Sequence, residues 1–159
     1  MTRQEIINEL KNYFKIYELV DRNVFNIFAD KAWRFFRPEL LETLLWIRIN
    51  IDSPITINNW HSGGDFQQRG LRHNLSTITK KKTKESIIYL SGHVLGAAVD
   101  FDVKGKTADE TRQWLLDNED NLPYLIRLEH LNLRTKKTIT WVHLDMLNDT
   151  KIKVYLFNV

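Results

Sequence analysis

Two short segments in the second half of the chain hold residue types able to do chemistry together. Ser91-Gly92-His93-Val94-Leu95-Gly96-Ala97-Ala98-Val99-Asp100 sets an imidazole and a carboxylate seven positions apart, with small residues between them that admit close backbone approach. Trp141-Val142-His143-Leu144-Asp145 sets a second imidazole between apolar neighbours in a β-patterned run. Successive strand residues face opposite sides, so Trp141, His143 and Asp145 share one face while Val142 and Leu144 turn to the core. Asp100 lies at the start of the run Val99–Val103 and can fold back toward His93. Two imidazole nitrogens and one carboxylate oxygen make up the protein's share of a catalytic zinc site, with the fourth position left to water. His93, Asp100 and His143 are therefore the expected metal ligands. Zinc is the expected ion, although nickel, cobalt or iron would accept the same donors. Its work would be to polarise a scissile carbonyl and bring the pKa of bound water to about 7. On these residues the chain reads as a zinc hydrolase.

The pattern Ser-x-His-x-x-Gly-x-Ala-x-Asp followed by Trp-Val-His-x-Asp resembles that of the zinc D-Ala-D-Ala carboxypeptidase family, whose fold is shared with the hedgehog signalling domain. The likeness runs from about Ile55 to Asp145 and is nearest to phage-encoded members. Those carry stretches similar to Ile57-Asn58-Asn59-Trp60, Gly63-Gly64 and Phe66-Gln67-Gln68-Arg69-Gly70-Leu71-Arg72. The resemblance implies a metallopeptidase that cuts a peptide bond in the stem or cross-link of bacterial peptidoglycan, as a phage endolysin or virion-associated lysin. Many members carry an acidic general base three positions before the last histidine, where this chain has Thr140, which cannot take up that proton. Hedgehog-type relatives place their glutamate further upstream, and similar phage sequences keep an Arg-Leu-Glu before a shorter loop. Both point to Glu129 as the catalytic base. Family enzymes also use an arginine to hold a substrate carboxylate, and His61 falls where that arginine often lies. Arg69 or Arg72 would then serve as the substrate-binding cation, Arg69 being preferred, because a guanidinium's planar fork suits a carboxylate. Asp145 would orient a ligand histidine or stand as a plain surface carboxylate. His73 and His130 match no ligand position and are expected to face solvent.

Two rival readings stay open. An amidase or peptidase aimed at another wall bond would use the same ligands. A non-catalytic structural or binding protein could keep zinc for stability alone.

The elements that must position these residues follow from the apolar pattern. Ile6, Ile7, Leu10, Tyr13 and Phe14 recur at helical spacing. A second helix is expected across Val24 to Phe36, and Pro38 suits the first position of a third, striped with Leu40, Leu41, Leu44, Leu45 and Ile47. From Ile51 the pattern turns to strands and loops: Ile55–Ile57, Val99–Val103, Tyr124–Glu129, Ile139–Leu144 and Lys153–Phe157 read as strands. Lys80-Lys81-Lys82-Thr83-Lys84 reads as a solvated loop, and Thr107 with Glu110 as a capping box opening a helix to about Asn118. The fold class expected is α+β, with N-terminal helices (about residues 1–50) packed on a mostly antiparallel sheet. Residues 1–159 form one zinc peptidase-like domain in this reading.

Bulk properties narrow the function further. At 159 residues and 43% hydrophobic content the chain can bury a core, so disorder is not expected. A net charge of +3 is too weak to argue for nucleic acid, though it favours approach to an anionic wall polymer. The absence of cysteine excludes disulfides and thiolate metal ligands. No run approaches the roughly 18 apolar residues of a membrane span, and the first residues are charged and amphipathic rather than signal-like. The chain is therefore expected to be made in the cytoplasm and to reach the wall by release or within a virion. Its expected partner is a peptidoglycan peptide, with neither nucleic acid nor membrane.

Overall fold

A computed structural model describes residues 1–159 as an α+β fold with helices packed against a largely antiparallel sheet. The helical layer comes first: α1 (Arg3–Leu10), α2 (Arg22–Phe28) and α3 (Pro38–Asn50). Helix α1 starts where the Thr2 side chain accepts from Glu5 N while the Glu5 carboxylate accepts from Thr2 N, satisfying two amides that have no partner within the helix. Asp21 caps α2 through Val24 N. Pro38 occupies the first turn of α3, where its missing N–H costs nothing. The helix expected across Val24–Phe36 breaks at Ala29, whose φ of 42° lies in the left-handed region, and continues as 3-10 turns over Ala29–Phe35.

The second half supplies β1 (Ile55–Thr56), β2 (Ala98–Val103), β3 (Ile126–Asn132), β4 (Lys137–Thr138), β5 (Val142–Asp145) and β6 (Val154–Asn158). They run in the order β1-β2-β5-β3-β4, with β6 added in parallel to β3 and every other pairing antiparallel. Helix α5 (Ala108–Asp117) begins at the Thr107/Glu110 capping box. One continuous core joins both halves. Ile6, Leu10, Phe14 and Leu44 from the helices lie in the same apolar cluster as Val99, Phe101, Val142 and Leu144 from the sheet.

Two expectations are corrected. Lys80–Lys84 is not a loop but the end of helix α4 (Thr77–Lys84), where the lysines sit at the negative end of the helix dipole. The strand expected over Ile139–Leu144 begins only at Val142: β4 ends before it at Thr138, and residues 139–141 belong to no strand. The break at residues 139–141 is stabilised by Arg112, whose buried Nη2 donates to the carbonyls of Ile139 (2.6 Å) and Trp141 (2.7 Å). No helix is long and apolar enough to cross a membrane.

Candidate metal centre

Strands β2 and β5 pair so that Asp100 stands directly opposite His143. The third residue, His93, comes from the turn before β2, where Val94 N and Leu95 N donate to Ser91 O and Ala97 N to Gly92 O. Gly96 permits this turn: its φ is +63°, and a side chain there would collide with the Phe35 carbonyl. The helical layer thus abuts the loop that carries His93, and Arg37 N donates to Gly96 O across the contact (2.8 Å).

The donor atoms converge. His93 Nε2 lies 3.2 Å from His143 Nδ1 and 3.3 Å from Asp100 Oδ1, and His143 Nδ1 lies 2.7 Å from Asp100 Oδ1. A tetrahedral ion with ligand distances of about 2.0–2.1 Å sets its ligands about 3.3 Å apart. Two of the three edges match that spacing and the third is shorter.

The outer partners decide which atoms point inward. His93 Nδ1 is 2.8 Å from the Gly70 carbonyl, which can only accept, so Nδ1 carries the proton and Nε2 presents its lone pair. His143 Nε2 donates to Asp145 Oδ2 at 3.2 Å, leaving Nδ1 to face Asp100. Asp145 therefore orients His143, and is itself held by a two-pronged contact from Arg127 (2.9 Å each) and by Leu147 N. Three acceptors that meet with no donor between them require a positive charge at their centre. His93, Asp100 and His143 can hold a metal ion.

The same demand shapes the proton affinities. Burial pulls His143 down, but hydrogen bonds to Asp100 and Asp145 outweigh it and push its pKa up to about 9. In the metal-free chain a proton on Nδ1 supplies the missing charge. Burial raises Asp100, yet its bonds to His143 and His93 hold it well below the usual carboxylate range. Burial acts likewise on Asp145, where His143 and Arg127 bring it down to about 2. His93 is shifted down, mainly by burial.

These residues line an open cleft of about 350 Å³. Glu129 forms part of its wall. Strands β3 and β5 pair Arg127 with Asp145 and Leu128 with Leu144, so the next step of that register faces Glu129 with His143. Its half-buried carboxylate has no hydrogen-bond partner, and burial raises its pKa above the usual range. Thr140 lines a different cavity, away from the ligands.

Both arginines expected to bind substrate are near the site and already engaged. Arg72 reaches Asp100 Oδ2 (3.2 Å), the Gln68 carbonyl (2.8 Å) and the Tyr89 hydroxyl (3.1 Å). Arg69 lies one cavity away, paired with Asp102 at 2.5 Å and stacked on Phe66 with its guanidinium carbon 3.7 Å from the ring centroid. Their backbone matters as much: Arg69 O accepts from Asp100 N, and Arg72 N donates to His93 O, so this segment braces two ligands. His73 does not simply face solvent. Its Nε2 is 2.6 Å from buried Asp21, tying the segment to the helical layer, while His130 is half-exposed.

Two functional residues escaped the sequence reading. Arg127 orients Asp145, and Arg112 donates not only to Ile139 O and Trp141 O but also to Glu129 O (2.9 Å). Arg112 thereby sets the backbone on both sides of the candidate base and of His143. Each sits in an ordinary pattern, a strand end and an amphipathic helix, with no local signal of its task.

Comparison of the chain with protein-family models, curated proteins and solved structures gave no match.

Proposed function

We propose that this chain is a zinc metallopeptidase of the hedgehog/DD-peptidase fold that hydrolyses a peptide bond in bacterial peptidoglycan peptides, as a phage endolysin or virion-associated lysin. The observation that carries the reading is the convergence of His93 Nε2, Asp100 Oδ1 and His143 Nδ1 at the floor of an open cleft. The substrate class rests on the resemblance of the motifs around those residues to zinc D-Ala-D-Ala carboxypeptidases. A structural zinc closes with four protein ligands, whereas a catalytic one keeps a position open. Only three ligands gather here, which favours catalysis over a zinc-stabilised binding protein.

Zinc held at this point supplies Lewis acidity toward a peptide carbonyl and acidifies water at neutral pH. Everything else falls to the chain. Glu129, unpaired and facing the centre, is placed to take a proton from water and deliver it to the departing amine. Arg72 holds Asp100 Oδ2 so that Oδ1 stays turned toward the histidines. Asp145 fixes the ring of His143, and Gly70 O fixes that of His93.

Elemental analysis of protein purified without chelator tests the centre, run beside His143→Ala and Glu129→Gln. About one zinc per chain is expected, lost in the first variant and kept in the second. Release of new amino groups from purified peptidoglycan should need zinc and vanish in Glu129→Gln. A wild-type protein that takes up no zinc would defeat the ligand assignment. Hydrolysis retained by Glu129→Gln would remove Glu129 from the mechanism.

A further inference from the structure

The edges of the sheet are not all finished in the same way. The side of β2 away from β5 is covered by β1 and by the Arg69 segment, whose carbonyl accepts from Asp100 N at 2.7 Å. Strand β4 is only two residues long, both exposed, and one of them is Lys137. Short length and an exposed lysine keep an edge from pairing with another chain. Strand β6 has neither. Its five residues, Val154–Asn158, include no charge and no proline, and β3 is its only neighbour in the sheet.

Backbone hydrogen bonds fix which groups of β6 face outward. Lys153 O accepts from Ile126 N and Val159 N donates to Leu131 O, so both residues turn these groups toward β3. Backbone direction alternates along a strand, which turns the N–H and C=O of Val154, Leu156 and Asn158 to the open side. Tyr155 and Leu156 are exposed, as are Ile152 just before the strand and Leu133, whose N–H donates to Val159 O just after it.

We infer that β6 joins a second copy of this chain, as two antiparallel strands related by a two-fold axis through Leu156. In that register all five residues of the strand find a partner. Leu156 falls opposite the partner's Leu156 and Val154 opposite the partner's Asn158, and these are the positions whose amides face outward. Tyr155 falls opposite the partner's Phe157, at the closely spaced positions between hydrogen-bonded pairs, where aromatic side chains make their best cross-strand contacts. Lys153 falls opposite the partner's Val159, so no like charges meet. The strand supplies both members of every pair from its own sequence, which singles out a second copy over an unrelated extended segment.

The pairing reaches the cleft. Phe157 lines it, with its ring centroid 6.0 Å from that of His143. The partner's Tyr155 therefore stands beside the rim of each cleft. A two-fold axis normal to the sheet keeps side-chain faces matched, so both clefts open to one side of a continuous sheet. Two sites on one side can engage a single polymeric substrate together. The pairing itself is independent of whether the centre carries metal.

Sedimentation velocity of the whole protein over a range of concentrations tests this, the mass rising toward twice that of one chain. Leu156→Lys sets two like charges face to face at the axis and should raise the dissociation constant about tenfold or more. Ile88→Lys, the same kind of change at an exposed residue away from β6, should leave it unaltered. Amide hydrogen exchange of the wild-type protein locates the contact without mutation. Leu156 and Asn158 should slow as concentration rises, while Tyr155 and Phe157, already turned toward β3, change little. A chain that stays monomeric at every concentration would overturn the inference. So would a dimer whose exchange at Leu156 and Asn158 matches that of the monomer, or one that a folded Leu156→Lys protein forms as readily as the wild type.

Discussion

The β2–β5 pair and the stretch from α4 to Leu90 both border the cleft, yet they are held in place by very different means. Along β2 and β5 each ligand sits in a backbone ladder, flanked by fully buried Val99, Phe101, Val142 and Leu144. Between α4 and the His93 turn, Ile87, Ile88 and Leu90 stand open to solvent, Ile88 at 89% exposure. That stretch touches the centre's surroundings through the Tyr89 hydroxyl on Arg72. The contrast separates two tasks. Metal ligands would need positions fixed to a fraction of an ångström, which a buried ladder supplies; the exposed wall of the cleft carries no such requirement.

Substitutions can break this contrast where it is strongest. Asp100→Ala should have the largest effect, since it removes the buried carboxylate that faces Arg72 and His143 and stands beside His93 Nε2. Metal content should fall to background, and chemical denaturation should show a loss of about 3 kcal/mol or more, as when one member of a buried ion pair is deleted. Arg112→Ala comes next. Three carbonyls, of Glu129, Ile139 and Trp141, lose their donor, for a loss of about 2–3 kcal/mol. Turnover should fall about a hundredfold through misplacement of Glu129, while zinc content is kept. Partial rescue by Arg112→Lys would mark the role as positioning.

Acid probes the ladder side without mutation. His143 holds its extra proton up to a pKa of about 9 and must surrender it to bind metal. Metal affinity should therefore rise by roughly tenfold per pH unit from the unperturbed histidine value up to about pH 9, and level off above it. Titration calorimetry at pH 7 in buffers of different ionisation enthalpy should report about one proton released per ion bound. Affinity independent of pH across that range would contradict the hydrogen-bond arrangement around His143. At the other extreme, Ile88→Ser should change stability by less than about 0.5 kcal/mol, because an exposed side chain loses little when truncated. A larger loss would show that the exposed stretch packs more firmly than its accessibility indicates.

How much of this could be read beforehand depended on how local the cause was. Capping at Thr2 was not singled out, but Thr107 with Glu110 was plain in the sequence, since partners three residues apart need no tertiary information. The alternation that put Trp141, His143 and Asp145 on one face was legible for the same reason, and so was the strand holding Asp100. Lys80–Lys84 was misjudged because a run of like charge says little about backbone: helix α4 leaves Lys80, Lys81 and Lys84 exposed. The break between β4 and β5 was hidden, since it depends on a guanidinium 27 positions away from the carbonyl it serves. The pairing of His73 with Asp21 spans 52 positions and was likewise beyond reach. Glu129 could be proposed from its place in the strand, but its lack of a partner is a property of the assembled cleft alone.

Gly70 has one further consequence. Its carbonyl steers His93, and its α-carbon lies so close to the Leu19 backbone that no side chain fits; the next residue, Leu71, donates from its N–H to Leu19 O at 2.9 Å. The helical layer and a ligand ring are thus two ends of one short chain of backbone contacts. Any opening that lifts Leu19 from Leu71 must also release the ring, so an ion bound to His93 opposes that opening. Amide hydrogen exchange at Leu71 and Arg72 should slow when zinc is added, even though neither amide belongs to a ligand residue.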